Sequence, residues 1–239
     1  MPLTASYAKM AQRAMMVCMA DPTAQVPRSL TERRKAQTQL EIARCAAELF
    51  AERGTAAVTA DEIAAAAGIG LRTFYRYFRT KEEAVTPLLA GGVSGWIADL
   101  AAAPRELTAV AALESSARRT LTRTDRFGVD GLRLTRALLR AVPGDPALES
   151  VWFRVVHDAE ESLVSVLGER LGPGADPLEV RLLAVAGNTA MRLAVQTWAG
   201  TGDAAAGEES GPSPADIAVR CIRTLTAGVA AAGVRTPQG

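Results

Sequence analysis

Apolar residues recur at three- and four-residue steps through residues 31–53. Leu40, Ala43, Ala47 and Phe50 form the stripe, and Ile42, Ala46 and Leu49 widen it. That spacing predicts an amphipathic helix, and Gly54 is placed to end it. Thr59, with Glu62 three positions later, predicts a capping box opening a second, short helix, "ADEIAAAA". Ile63 is its one large apolar anchor, and Gly68 in "GIG" suits the left-handed backbone of a tight turn. A third helix follows within "GLRTFYRYFRTKEEA". On a helical wheel Phe78 lies about 40° and Tyr77 about 60° from Phe74, whereas Arg72, Tyr75, Arg76 and Arg79 fill the opposite arc. One face is therefore an aromatic core contact. The other is an arginine-and-tyrosine surface without an acidic residue. Thr80 with Glu83 predicts a further cap and a fourth helix, which Pro87 should kink.

Beyond residue 85 the pattern stays helical and is punctuated by Pro and Gly, with no internal repeat and no strand signal. "ALESVWFRVVHDAEESLVSVLGERLG" reads as one long helix, and Asp176 and Pro177 open the next. "TGDAAAGEESGPS" is a low-complexity loop. The last helix starts near Pro214 and carries Ile217, Cys221, Leu225 and Val229 at four-residue steps. The chain is thus expected to be all-α. Residues 1–27 read as a disordered N-terminal extension, 28–80 as a three-helix helix-turn-helix head, and 81–239 as a larger helical body. Helices 177–199 and 214–232 contain Gly187 and Gly228, which permit close backbone approach. They either complete the monomer core or meet their copies in a four-helix homodimer interface.

Charge sharpens the reading only locally. The 239 residues carry a net +1, so no global field points to nucleic acid or membrane. Between Arg28 and Lys81, however, ten basic residues face six acidic ones. Arg33, Arg34 and Lys35 sit at the start of the first helix, where the dipole disfavours cations. They form either a solvated face or one neutralised by an external anion. No stretch reads as a signal peptide or as long and apolar enough to span a bilayer, and Cys18, Cys45 and Cys221 form no disulfide or metal spacing. A reduced, cytoplasmic compartment is expected, with Cys45 and Cys221 as small hydrophobes. No phosphate loop, dinucleotide fingerprint or nucleophile elbow is present, and His157 is the one histidine. An enzyme, a cofactor and a metal are not expected.

With these residues in view, "VTADEIAAAAGIGLRTFYRYFRTKEEAV" resembles the signature of TetR-type transcriptional regulators, the tetracycline-repressor family. The matching positions are Thr59, Ile63-Ala64, Ala67-Gly68, Thr73-Phe74-Tyr75, Tyr77-Phe78 and Lys81-Glu82-Glu83, without a gap. "ARCAAELFAERG" resembles the family's first helix, so the likeness covers about residues 31–90. It implies a homodimer with two DNA-binding heads and a C-terminal domain that binds an effector. It also implies roles. Thr59 and Lys81 contact phosphates, Arg72 and Thr73 reach base edges or nearby phosphates, and Tyr75 and Tyr77 place hydroxyls on the DNA backbone. Arg76 is this chain's own addition. Leu71 stands where a polar residue is commoner, to touch a thymine methyl or to pack, and Gly70 stands where Ser is usual.

The expected partners are therefore a double-stranded DNA operator with near-palindromic half-sites, a small-molecule effector and a second copy of the chain, and no membrane. The protein would be a ligand-responsive regulator, most simply a repressor. The competing reading is a helical sensor or scaffold whose head recognises no specific operator. For the effector, Trp96, Trp152, Phe153 and Met191 either line a cavity or fill a core. His157, Asn188 and Arg192 are the polar positions on the same helices.

Overall fold

The computed structural model describes residues 29–122, 126–200 and 212–232. The expected extension at 1–27 and the loop residues 201–211 lie outside the described residues. Contacts divide the chain into two compact units, 1–36 and 37–239. Among the described residues there are nine α-helices and no strand. They are α1 (Leu30–Arg53), α2 (Ala60–Ala66), α3 (Leu71–Tyr77), α4 (Thr86–Ala101), α5 (Ala109–Leu121), α6 (Arg126–Ala141), α7 (Pro146–Leu171), α8 (Pro177–Gly200) and α9 (Pro214–Ala232).

In the first unit, Ser29 and Glu32 make a reciprocal cap at the start of α1. The Glu32 amide donates to Ser29 Oγ at 3.2 Å, and the Ser29 amide donates to Glu32 Oε2 at 2.8 Å. The S-x-x-E spacing was legible in the sequence but not drawn from it.

In the second unit, the apolar stripe of α1 buries Ile42, Ala43, Ala46, Ala47 and Phe50. Against it pack Ile63 of α2 and Phe74 of α3, both fully buried. Gly54 and Gly68 take the left-handed conformation, at φ 77° and 66°, where a side chain would be strained. The same apolar cluster runs on through Ala84, Val85 and Leu88 to Leu138, Leu148 and Trp152 of α6 and α7. A second cluster joins Trp96 and Leu100 of α4 with Leu113 of α5, Leu163 and Leu167 of α7, Leu183 of α8 and Ile222 of α9.

Several expectations change here. Pro87 does not kink α4. A 3₁₀ turn occupies Glu82–Val85, and α4 begins at Thr86 with Pro87 in its first turn. A missing amide hydrogen costs nothing there. Glu83 does donate its amide to Thr80 Oγ1 at 3.1 Å, but its carboxylate accepts from the Arg79 amide rather than from that of Thr80.

Gly187 serves the monomer. A Cβ there would stand 2.9 Å from Leu113 Cδ2, so α8 crosses α5 at this point. A Cβ at Gly228 would meet nothing within 4 Å. On α9 the four-residue stripe does not hold one face. Ile217 is buried, Cys221 half-buried and Leu225 42% exposed. A step of four advances about 40° beyond a full turn, so such a stripe winds off the core. Finally, Glu82–Ala101 does have the length and hydropathy to cross a bilayer, contrary to the sequence reading. In the structure its Leu88, Leu89, Trp96 and Leu100 are buried within the protein.

Candidate nucleic-acid interface and effector cavity

The exposed face of α3 is built from both ends. α2 starts at Thr59 with a complete capping box. The Glu62 amide donates to Thr59 Oγ1 at 3.2 Å, and the Thr59 amide and hydroxyl both donate to Glu62 Oε2 at 2.8 Å. The Arg53 guanidinium reaches Glu62 Oε1 at 2.9 Å. That charge, together with the Thr59 bonds, pulls the Glu62 carboxyl down to about 2. Thr59, a residue expected to contact phosphate, therefore has its hydroxyl proton committed to the cap. At α3 the Gly70 carbonyl accepts from the Thr73 and Phe74 amides, and no side chain caps the helix.

Phe74 is fully buried and Phe78 nearly so, and their rings lie 5.7 Å apart. Phe78 itself has left the helix and is extended. Behind them the aromatic edge continues as the half-buried Tyr77. In front, Leu71, Arg72, Tyr75, Arg76 and Arg79 are exposed, Tyr75 by 54%, and Thr73 is half-buried. Tyr75 meets the Phe74 ring edge-on at 5.5 Å, and Arg76 lies over the Tyr77 ring at 5.4 Å. Among the described residues no carboxylate pairs with Arg72 or Arg76. The face is thus cationic and phenolic, and it is held rigidly from behind. Arg33, Arg34 and Lys35 are exposed in the early turns of α1, in the separate first unit.

Lys81 stands apart from this face. Its ammonium donates to the carbonyls of Thr55 at 2.7 Å and Val58 at 2.8 Å, 3.8 Å from the Glu82 carboxylate. It clamps the loop that precedes α2. The spacing of the motif identified the residue, but the carbonyls it satisfies lie more than twenty positions away. The same loop is tied to the body. Burial pushes the Asp145 carboxyl up, but the Thr55 hydroxyl, the Leu148 and Ala147 amides and the Lys81 charge outweigh it, so the group titrates below the ordinary Asp value. Arg154 reaches Glu83 at 3.5 Å. The Cys45 thiol is pushed up by burial and by Glu48, which leaves it a poor nucleophile.

The body holds a half-enclosed cavity of about 300 Å³. α4 gives one wall, through Leu88, Gly91, Gly92, Gly95 and Trp96. α7 adds Trp152 and Val156, and α8 adds Asn188, Met191, Arg192 and Val195. The cavity thus brings together Trp96, Trp152, Asn188, Met191 and Arg192. Phe153 and His157 are not among them. Both are exposed on α7, at about 100° and 140° of helical rotation from Trp152. Asn188 is buried and donates to the Val156 carbonyl at 2.9 Å, and Trp96 donates to Ser116 Oγ at 3.0 Å. Sequence reading missed Arg44 of α1, Thr120 of α5, Thr135 of α6 and the three glycines of α4. For the glycines a signal existed. Three in one helix, each costing about 1 kcal/mol against Ala, call for a reason.

The family model for bacterial regulatory proteins of the tetR family matches residues 42–85. The HTH-type transcriptional regulator TcmR of Streptomyces glaucescens is 32% identical over 151 residues, which are 62% of this chain and 66% of TcmR. The match therefore spans slightly less than two thirds of that relative's length. Among solved structures, a TetR-family transcriptional regulator of Syntrophomonas wolfei superposes with a TM-score of 0.52 at 14% identity, covering 84% of this chain and 98% of that one. GusR of Salmonella enterica gives 0.49 at 18% identity, with 81% and 96% covered. The Syntrophomonas structure shows a shared fold over 84% of this chain. The segment that builds the exposed face of α3 is the segment the family model matches, so it is residues 42–85 that carry the likeness to the tetR family of bacterial regulatory proteins.

Proposed function

We propose that this chain is a ligand-responsive, non-enzymatic regulator of transcription, acting in the cytoplasm as a homodimeric repressor on a near-palindromic operator. The observation that carries the reading is the face of α3. Arg72, Tyr75 and Arg76 point outward without an acidic partner among the described residues, on a helix anchored by Phe74. Residues 28–80 would serve as the head and 81–239 as the effector-binding and dimerising body. Arg72 and Thr73 at the start of α3 would enter the major groove, and Tyr75, Tyr77 and the basic start of α1 would hold the phosphates. The neutral whole and cationic head suit binding that weakens steeply with salt.

For the dimer, support comes from Leu178, Leu182, Val185 and Leu193, all exposed along α8, beside Leu225 of α9. Light scattering should return twice the chain mass, and Leu182→Glu should return it to one. A wild-type monomer would remove the dimer from the proposal. For the response, α7 links cavity to head. It carries Trp152 and Val156 at the cavity and Arg154 toward Glu83, and Asp145, which caps its start, reaches Thr55. An effector that binds one arrangement of α4 and α7 better than another would shift the heads.

The experiment is a footprint and gel shift on the DNA flanking the chain's own gene. Arg72→Ala and Tyr75→Ala should each weaken a protected site by about 1–3 kcal/mol, about 5- to 150-fold, with mass and helicity unchanged. No protected site at moderate salt would favour instead a helical sensor without a specific operator, the reading that Leu71 and the uncapped Gly70 keep in play. Lys81→Met separates a clamp from a phosphate contact. It should lower unfolding free energy by about 1–3 kcal/mol in urea titrations, because two carbonyls lose their donor. It should leave the salt slope of operator binding as in the wild type. A slope smaller by about one unit would give Lys81 a phosphate instead.

A further inference from the structure

We propose that the cavity between α4, α7 and α8 takes a flat, apolar organic anion, an aryl carboxylate or its equivalent. The assignment rests on the cavity being the effector site and names the chemistry of what enters it. Three observations carry it.

The first is shape. Gly91, Gly92 and Gly95 front the cavity, and at each of them a Cβ would meet nothing within 4 Å. Helical glycine is unfavourable, so a bare backbone wall bordering empty space is what a planar ring lying against a helix requires. The Trp96 ring, on the same helix, and the Trp152 ring of α7 add apolar surface to the lining.

The second is charge. The described lining contains two guanidinium groups, Arg44 on α1 and Arg192 on α8, and no Asp or Glu. Arg192 is half-buried, and its described partner is the neutral amide of Gln196, with Nη1 donating to Oε1 at 3.1 Å. A cation in that setting is offset best by an anion, because the low-dielectric surroundings strengthen the pairing. The same field rejects organic cations.

The third is the hydrogen-bond balance. Trp152 Nε1 is buried without an acceptor, whereas the indole of Trp96 is satisfied by Ser116. A buried donor left over is a cost that a ligand oxygen within reach would remove.

The test uses three probes of one shape in calorimetric titrations of the full-length protein: 2-naphthoate, 2-naphthylmethanol and 2-naphthylmethylammonium. The acid should bind at least about tenfold more tightly than the alcohol, and the ammonium more weakly than either. Arg192→Met should erase the acid's advantage while changing the alcohol's affinity by less than about twofold, and Arg192→Lys should keep it. Equal affinity for acid and alcohol, or a preference for the ammonium, overturns the anion assignment and leaves the cavity as an effector site. An acid preference that survives Arg192→Met overturns the role of Arg192. If none of the three binds at millimolar concentration, the effector-site reading falls with it.

Discussion

Phe74→Ala should lower the unfolding free energy by about 3–5 kcal/mol and abolish operator binding, the largest effect expected of a single substitution in the head. Phe74 is fully buried, and it is the pivot of a seven-residue helix that has little else to hold it. A helix of two turns has no stability of its own in water, so the orientation of Arg72 and Tyr75 depends on that ring. Truncation leaves a void between Ile63, Phe78 and the α1 stripe, and Tyr75 loses its edge-on neighbour. The effect should not stay local. The cluster around Phe74 continues without a break to Leu138, Leu148 and Trp152, so urea denaturation followed by circular dichroism should shift as one transition rather than detach an early head phase. Phe74→Leu should recover most of the loss. A Phe74→Ala protein within about 1 kcal/mol of the wild type, still protecting its operator, would mean that α3 is held by something other than this ring.

Trp96→Ala should cost a similar amount, about 3–5 kcal/mol, and should do so in the body. Trp96 is 1% exposed, and its indole donates to Ser116 Oγ at 3.0 Å, while Ser116 passes its own proton to the Leu113 carbonyl at 3.0 Å. The side chain therefore does two things at once. It fills the second apolar cluster between α4, α5 and α7, and it forms a wall of the cavity. Its removal merges the new void with the existing cavity. Ser116→Ala isolates the polar part. It leaves the indole N–H unpaired and should cost about 1–3 kcal/mol. The order of the two losses in chemical denaturation is the check. If Ser116→Ala destabilises more than Trp96→Ala, packing is not what Trp96 contributes.

The head could be read from the sequence because its determinants are close together. A box such as Thr59–Glu62, the stops at Gly54 and Gly68, and the opposition of Phe74 to Arg72, Tyr75 and Arg76 each involve residues within one or two helical turns, and the structure reproduces all three. Two details in the same region were not legible. Pro87 was placed correctly in sequence, but the helix it was to kink starts one residue before it. Lys81 was read from its motif, yet its partners are the carbonyls of Thr55 and Val58. For Pro87 the local start of α4 at Thr86 set the outcome, and for Lys81 partners distant in sequence did.

The body shows the same division more sharply. Periodicity gave its helices but not the side each helix turns inward. Trp152 and Val156 face the cavity while Phe153 and His157, a fraction of a turn away, face out. Arg44 and Arg192 lie about 150 residues apart in the chain, and only packing brings them to one space. The amino-acid sequence by itself determined the all-helical class, the caps and turns of the head and the chemistry of its exposed face, because these follow from interactions within a few residues. The tertiary structure alone decided which helix faces enclose the cavity, where Gly187 lets α8 cross α5, and that Lys81 acts as a clamp, because each depends on which distant surface a residue meets once the helices have packed.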